Sequence, residues 1–346
     1  MNRALAIAAL LAGCTTFEDP TIVLDLRVLA MTAEINPEFG LFPNGLGPDQ
    51  VVDVDMTQPI TTALITQLQP TTVCALVADP GQSRSLRWSM TLCLLEEEGR
   101  CDRTQPFIEL GSGVIGDPET ALGAQRPCGI IEPEAYPATM LAMLLAAVKA
   151  NPVQALGGID YTVVFTVGAV EDRSTDIYAT KHLRVSPRIP VNRQPNINPR
   201  FDLVDAALAS GESIMLPGAM GGGGGASGRC ADLGPFGPGE VVPGSRLTLF
   251  PIEPVGTRED YVVPTLDGKT AMLTETVTYQ WFATIGAWSD EFTGGGHDVL
   301  GNQSLLGSDW IAPTDVATPQ LVSLWMIQRD ERYGVQVFET CVRINR

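Results

Sequence analysis

Basic residues are scarce in this chain: 22 lysines and arginines stand against 40 aspartates and glutamates, for a formal net charge of −18. Such a surface repels phosphate backbones, which argues against nucleic acid as a partner. Histidine is scarcer still, with only His182 and His297. Both lie far in sequence from the cysteines and no Cys-x-x-Cys occurs, so a zinc site has no obvious donor set. There is no G-x-S-x-G elbow, and a hydrolase built on His297 and Asp298 is disfavoured. The stretch Gly111-Ser112-Gly113-Val114-Ile115-Gly116 has dinucleotide-loop spacing, but Asp117-Pro118 follows at once and no helical pattern begins. Gly268-Lys269-Thr270 ends like a phosphate-binding loop, yet Val263 stands where that loop needs its first glycine, so a β-turn is the expectation. The run Gly221–Gly225 has no lysine after it and reads as a flexible insertion. No EF-hand loop is present. Asp49, Asp53 and Asp55 leave structural calcium open, although their alternation equally describes the exposed face of a strand. No other cofactor is expected.

The first twenty residues carry the most specific signal. Arg3 precedes an apolar run from Ala4 to Ala12, well short of the roughly 20 residues of a transmembrane helix. The run ends in Leu11-Ala12-Gly13-Cys14. This resembles the lipobox of bacterial lipoproteins, which implies cleavage before Cys14 and acylation of its thiol and new amine. Three acyl chains, at about 0.8 kcal/mol per buried CH₂, make a lasting membrane anchor. Thr15 and Thr16 stand where an aspartate would resemble an inner-membrane retention signal, so the resemblance implies the outer membrane.

Six cysteines remain besides Cys14, an even number that suggests disulfides outside the cytoplasm. Cys74, Cys93, Cys101 and Cys128 fall in the first half of the chain, and Cys230 and Cys341 in the second. A domain division between the halves pairs Cys230 with Cys341. Cys93 and Cys101 flank the polar turn Glu96–Arg100, a natural local closure, which would leave Cys74 for Cys128; the connectivity among these four stays open.

Apolar runs bounded by turn residues indicate a mainly β chain: Ile22–Ala30, Val73–Ala78 before Asp79-Pro80-Gly81, Leu86–Met90, Tyr161–Val167, Ile177–Val185, and Leu321–Ile327 followed by Val335–Ile344. The last two pairs read as terminal hairpins, and Leu86-Arg87-Trp88-Ser89-Met90 is echoed by Thr278-Tyr279-Gln280-Trp281-Phe282. These echoes suggest an internal duplication. Glu134–Ala150 breaks the pattern as an alanine- and leucine-rich helix, with acids near its start, Lys149 near its end and Asn151-Pro152 as its stop. Cys74 and Trp88 resemble the B-strand cysteine and C-strand tryptophan of immunoglobulin-type domains, although Cys128 has no obvious F strand. The expectation is therefore two tandem immunoglobulin-like β-sandwiches: a signal peptide at 1–13, a lipidated tether at 14–20, domains at 21–187 and 200–346, and a proline-rich connector at 188–199. The helix would be inserted in the first domain. LAGC, DLRVLA, PNINP and WMIQRDERYG together resemble two-domain lipoproteins that some large Gram-negative genomes encode in many copies, a family that implies location and architecture but no reaction.

No residue cluster names a reaction, so the expectation is a non-enzymatic, lipid-anchored envelope protein acting as a structural or protein-binding module. The alternative is a glycan-binding surface protein, with Trp288 and Trp310 as an exposed aromatic platform beside the 294–301 loop. The expected partners are the membrane, through Cys14, and an envelope protein or glycan.

Overall fold

A computed structural model describes residues 19–35, 47–53, 66–80, 84–94, 96–116, 123–135, 157–218, 229–233, 237–265, 267–296 and 304–346, with Thr139, Ala142 and Ala146. Cys14 and Asp55, the glycine run, and nearly all of the helix expected over 134–150 lie outside them. The start of that helix is a 3-10 turn, Pro133–Ala135.

The chain is mainly β. Its first half contributes β1 (Arg27–Ile35), β2 (Asp49–Val52), β3 (Thr71–Ala78), β4 (Leu86–Cys93), β5 (Glu96–Glu97), β6 (Arg100–Cys101), β7 (Phe107–Ile115), β8 (Cys128–Ile131), β9 (Ile159–Ala169) and β10 (Ile177–Pro187). The second half contributes β11 (Leu203–Leu208), β12 (Gly239–Val241), β13 (Arg246–Ile252), β14 (Asp260–Pro264), β15 (Thr270–Thr274), β16 (Val277–Ala283), β17 (Ala287–Trp288), β18 (Phe292–Gly295), β19 (Ser308–Ile311), β20 (Gln320–Asp330) and β21 (Val335–Ile344).

Each half pairs a small sheet with a five-stranded one. The first has β1-β3-β8 facing β2-β10-β9-β4-β7, and the second β11-β13-β19-β17 facing β12-β21-β20-β16-β18. The five-stranded sheets repeat one scheme. A short strand runs parallel to the last strand, β2 on β10 and β12 on β21; an antiparallel hairpin follows, β9–β10 or β20–β21; and a tryptophan-bearing strand, β4 or β16, lies next to it. Between the first pair of sheets lie Met31, Val73, Val77, Met90, Leu92, Phe165 and Leu183; between the second lie Leu247, Tyr279, Trp281, Trp310, Leu324 and Phe338.

The runs Val73–Ala78 and Leu321–Ile327 do not alternate with polar residues, and the reason is burial on both faces. On β3, Val73, Ala75 and Val77 point into the first core, while Leu76 and Ala78 point the other way. On β20, Val322, Leu324 and Met326 serve the second core, and Trp325 and Ile327 the opposite face. These opposite faces meet. Val23, Leu29, Ala30, Leu76, Ala78 and Ala124 pack against Phe282, Trp325, Ile327 and Val335 in a third buried core. Among the described residues the four larger sheets are therefore stacked, with the three-stranded sheet of the first half and the five-stranded sheet of the second sharing the central seam.

Polar contacts close the seam. The Glu339 carboxylate accepts from Ala124 N at 2.8 Å and Trp325 Nε1 at 2.9 Å. Val23 N donates to Ala283 O at 2.8 Å, and Ala283 N to Thr21 O at 2.9 Å, so the chain's entry into the first half pairs with a strand of the second.

The proline-rich segment 188–199 is built into this seam, where composition alone suggested an extended connector. Asn196 is fully buried and donates to Asp330 Oδ2 at 3.1 Å and Arg332 O at 3.2 Å, while its own carbonyl accepts from Gly47 N at 2.6 Å. Asn198 Nδ2 donates to Ala33 O at 2.8 Å, and its Oδ1 accepts from Val335 N at 3.1 Å. In the turn they grip, a Cβ at Gly334 would lie 2.8 Å from Pro199 Cδ and closer still to Asp330, so only glycine fits.

Three disulfides join Cys74 to Cys128, Cys93 to Cys101 and Cys230 to Cys341. Cys74 and Cys128 stand opposite each other on adjacent strands of one sheet, whereas the immunoglobulin disulfide crosses between sheets. The likeness drawn from Cys74 and Trp88 is thus limited to their strands. Trp88 packs instead on Gly111 and Gly113 of β7, where an added Cβ would come within 3.2 Å and 3.1 Å of its indole. That close approach is the structural use of the dinucleotide-like Gly-Ser-Gly.

Trp325→Ala removes the largest side chain of the seam and one donor to Glu339. Loss of a buried tryptophan costs about 3–5 kcal/mol. The expected result is a lower urea midpoint with both halves still melting together, read by fluorescence and by circular dichroism. A cost below about 1 kcal/mol, the scale of a surface substitution, would show that the seam is not a core.

Candidate functional site

Trp288 and Trp310 do not form an exposed platform. They oppose each other in the β17–β19 pair, are 8% and 0% exposed, and face the second core. Trp310 Nε1 donates to Ile285 O at 2.9 Å, and the Trp288 ring lies 5.0 Å from that of Trp281. Cross-strand pairing turns both indoles inward, so they form no exposed glycan platform.

Of the acidic residues considered for calcium, Asp49 is buried and accepts from Ser186 Oγ at 2.7 Å, with Arg193 at 3.8 Å. Asp53 pairs with Arg188 at 2.7 Å. Their carboxylates answer to arginines, and among the described residues no group of three or more His, Cys, Asp or Glu could hold a metal ion. His297 and Asp298 lie outside the described residues. His182 sits on β10, 3.2 Å from Thr162 Oγ1 and with its ring 5.6 Å from that of Tyr333. Gly268 is a turn residue at φ 77° in the β14–β15 hairpin, in line with the β-turn expected there.

Two concavities are lined by described residues with polar side chains. The first, of about 300 Å³, opens at the seam between Val28–Met31, Ala179–His182 and Arg329–Val335. Lys181 lies against it, 5% exposed, and Nζ donates to Tyr333 O. Burial pushes this amine down from the usual 10.5 to about 7, against the opposing pull of Asp330, with Arg329 adding to the fall.

The second concavity, of about 450 Å³, lies on the outer face of the first five-stranded sheet. Its floor is Arg87, Trp88, Ser89 and Thr91 of β4 with Val164 and Thr166 of β9; its walls are Arg100, Cys101, Arg103, Arg173, Asp176 and Tyr178. Arg87 is committed to Asp176 and to Ala169 O. Arg100 lies 4.5 Å over the Tyr178 ring, and Arg103 lies 5.4 Å over Phe107. Arg100, Arg103 and Arg173 have no carboxylate partner among the described residues. The turn Glu98-Gly99, with φ 52° and 77°, and the Cys93–Cys101 disulfide fold the β5–β6 hairpin back over the sheet and set Arg100 in place. The carboxylates near the rim serve their own turns: Glu96 accepts from Gly99 N, Asp102 from Thr104 and Asp172 from Ser174. Arginines scattered along the sequence thus converge on one site, which sequence reading did not find.

No protein-family model matches the chain, and no curated protein does. Among solved structures it is similar to red sea bream transglutaminase at 9% identity, covering 79% of this chain and 29% of that one, with a TM-score of 0.20. It is also similar to the BSP domain of a biofilm associated protein, at 6% identity over 95% of this chain and 61% of that one, with a TM-score of 0.24. A third is the C-terminal domain of the Streptococcus agalactiae AgI/II polypeptide BspA, at 9% identity over 92% and 100%, with a TM-score of 0.21. Scores this low carry no argument about function.

The Lys181 site predicts a pH dependence. A lysine whose folded value is depressed from 10.5 to about 7 binds fewer protons folded than unfolded between those limits. Its contribution to stability is therefore full above about 10.5 and is lost as pH falls towards about 7. Urea titrations from pH 7 to 10 should show this rise in the wild type, and Lys181→Met should flatten it. Equal slopes for the two proteins would contradict the assignment.

Proposed function

We propose that this chain is a non-enzymatic envelope protein, held at the outer membrane by lipid on Cys14, whose two tandem immunoglobulin-like sandwiches bind another envelope component. The sandwich reading is supported by the repeated strand scheme, above all the short parallel strand beside the last strand of each half. The helix of 134–150 would then be an insertion in the first sandwich.

The observation that carries the functional reading is the stack. Both sheets at the seam are covered, and the cationic concavity opens on the outer face of the first half's five-stranded sheet. A double body closed by a buried seam and carried on a short lipidated tether is suited to presenting one such face beside a membrane.

Cys14→Ser tests the anchor. The wild type should fractionate with membranes and carry the mass of its acyl chains, and the variant should appear in the soluble fraction without them. Identical fractionation and unmodified mass for both proteins would refute the anchored reading.

A further inference from the structure

We propose that the concavity over β4 and β9 binds an acidic saccharide, with its anionic group among the guanidiniums of Arg100, Arg103 and Arg173. The proposal rests on the binding-module reading and adds the ligand's chemical class.

Charge is the first argument. In a chain of net charge −18, a concavity lined by four arginines and a single acid stands out. That acid, Asp176, is already paired with Arg87. The other three guanidiniums present donors in a planar fork suited to carboxylate, sulfate or phosphate oxygens. Size is the second. About 450 Å³ falls in the roughly 300–1,000 Å³ range of small-ligand sites.

The floor separates a sugar from a peptide. Peptides commonly join a sheet through the free backbone groups of an edge strand. Here β4 is paired with both β7 and β9, and β9 with both β4 and β10, so their backbone donors and acceptors are engaged in the sheet. Recognition falls to side chains: the hydroxyls of Ser89, Thr91 and Thr166, the exposed ring of Tyr178 and the guanidiniums. Hydroxyls and positioned cations, one of them stacked on Tyr178, match a polyhydroxylated anion.

The site is also held in shape. Cys101, bridged to Cys93 at the end of β4, is part of its wall, and Arg100 precedes it directly. The disulfide fixes the hairpin that carries Arg100 and leads into Arg103, so these cations need little ordering when the ligand arrives.

Calorimetric titration of the full chain in detergent solution tests the proposal with three probes: trigalacturonate, neutral maltotriose and triglutamate. Trigalacturonate should bind, more weakly as salt rises, and the other two at least tenfold less tightly. Arg100→Gln with Arg173→Gln, both at exposed positions, should weaken trigalacturonate about tenfold or more. A second variant, Cys93→Ser with Cys101→Ser, should weaken it while leaving the circular dichroism of the sheets unchanged. Equal or tighter binding of triglutamate would make the ligand an acidic peptide and overturn the proposal. So would equal binding of maltotriose, no trigalacturonate binding, or arginine variants that bind as the wild type does. None of these outcomes touches the anchor, which is read on membrane fractions.

Discussion

Asn198 bonds to both halves of the molecule at once. Its amide nitrogen holds Ala33 O of the first half and its amide oxygen holds Val335 N of the second. Both atoms are out of water, where an unmet hydrogen bond costs about 1–3 kcal/mol, so the two sheets can separate only if both bonds are exposed or replaced. Asn196 and Arg329 extend this grip to Gly47, Asp330 and Leu29. The apolar seam around Trp325 supplies non-directional attraction, and the asparagines fix how its two faces are placed. The position of the concavity beside Lys181 follows from that arrangement.

Three of the stretches that carried the resemblance gain a physical meaning here. PNINP supplies the asparagine clamp, and the turn within WMIQRDERYG is what it holds, with Gly334 tucked under Pro199. DLRVLA provides Leu29 and Ala30 to the seam core and Leu29 O to Arg329. Segments far apart in sequence are thus parts of one joint. Arg332 braces the same turn from the second half by pairing with Glu259 and Glu275, and burial pushes the Glu275 carboxyl up to about 7 despite that arginine.

Much of the fold was legible in the sequence. The β character, both terminal hairpins, the paired tryptophan strands, the local Cys93–Cys101 closure and the Cys230–Cys341 pair left by elimination all appear in the structure, because each depends on local periodicity or on few alternatives. The seam was not legible. Unbroken apolar runs such as Val73–Ala78 indicate a strand covered on both faces but do not say what covers the second face. Proline spacing made 188–199 look like a connector, since composition cannot reveal that Asn196 and Asn198 are buried. Trp288 and Trp310 misled for a related reason, because nearby glycines suggested a surface loop and the β17–β19 register decides the direction of their rings. The arginine site was hidden because Arg87, Arg100, Arg103 and Arg173 meet only after β4, β9 and β10 pair and a disulfide folds a hairpin back.

The central claim is that the seam makes one cooperative body out of two repeated halves. Native-state hydrogen exchange measures it most directly, because each amide reports the free energy of the opening that exposes it. Amides of Val163 and Phe165 in the first core and of Leu324 and Met326 in the second should exchange with one common free energy and one common dependence on denaturant. First-half amides opening at a distinctly lower free energy, while those of β20 stay protected, would contradict the account and leave two independent domains in contact.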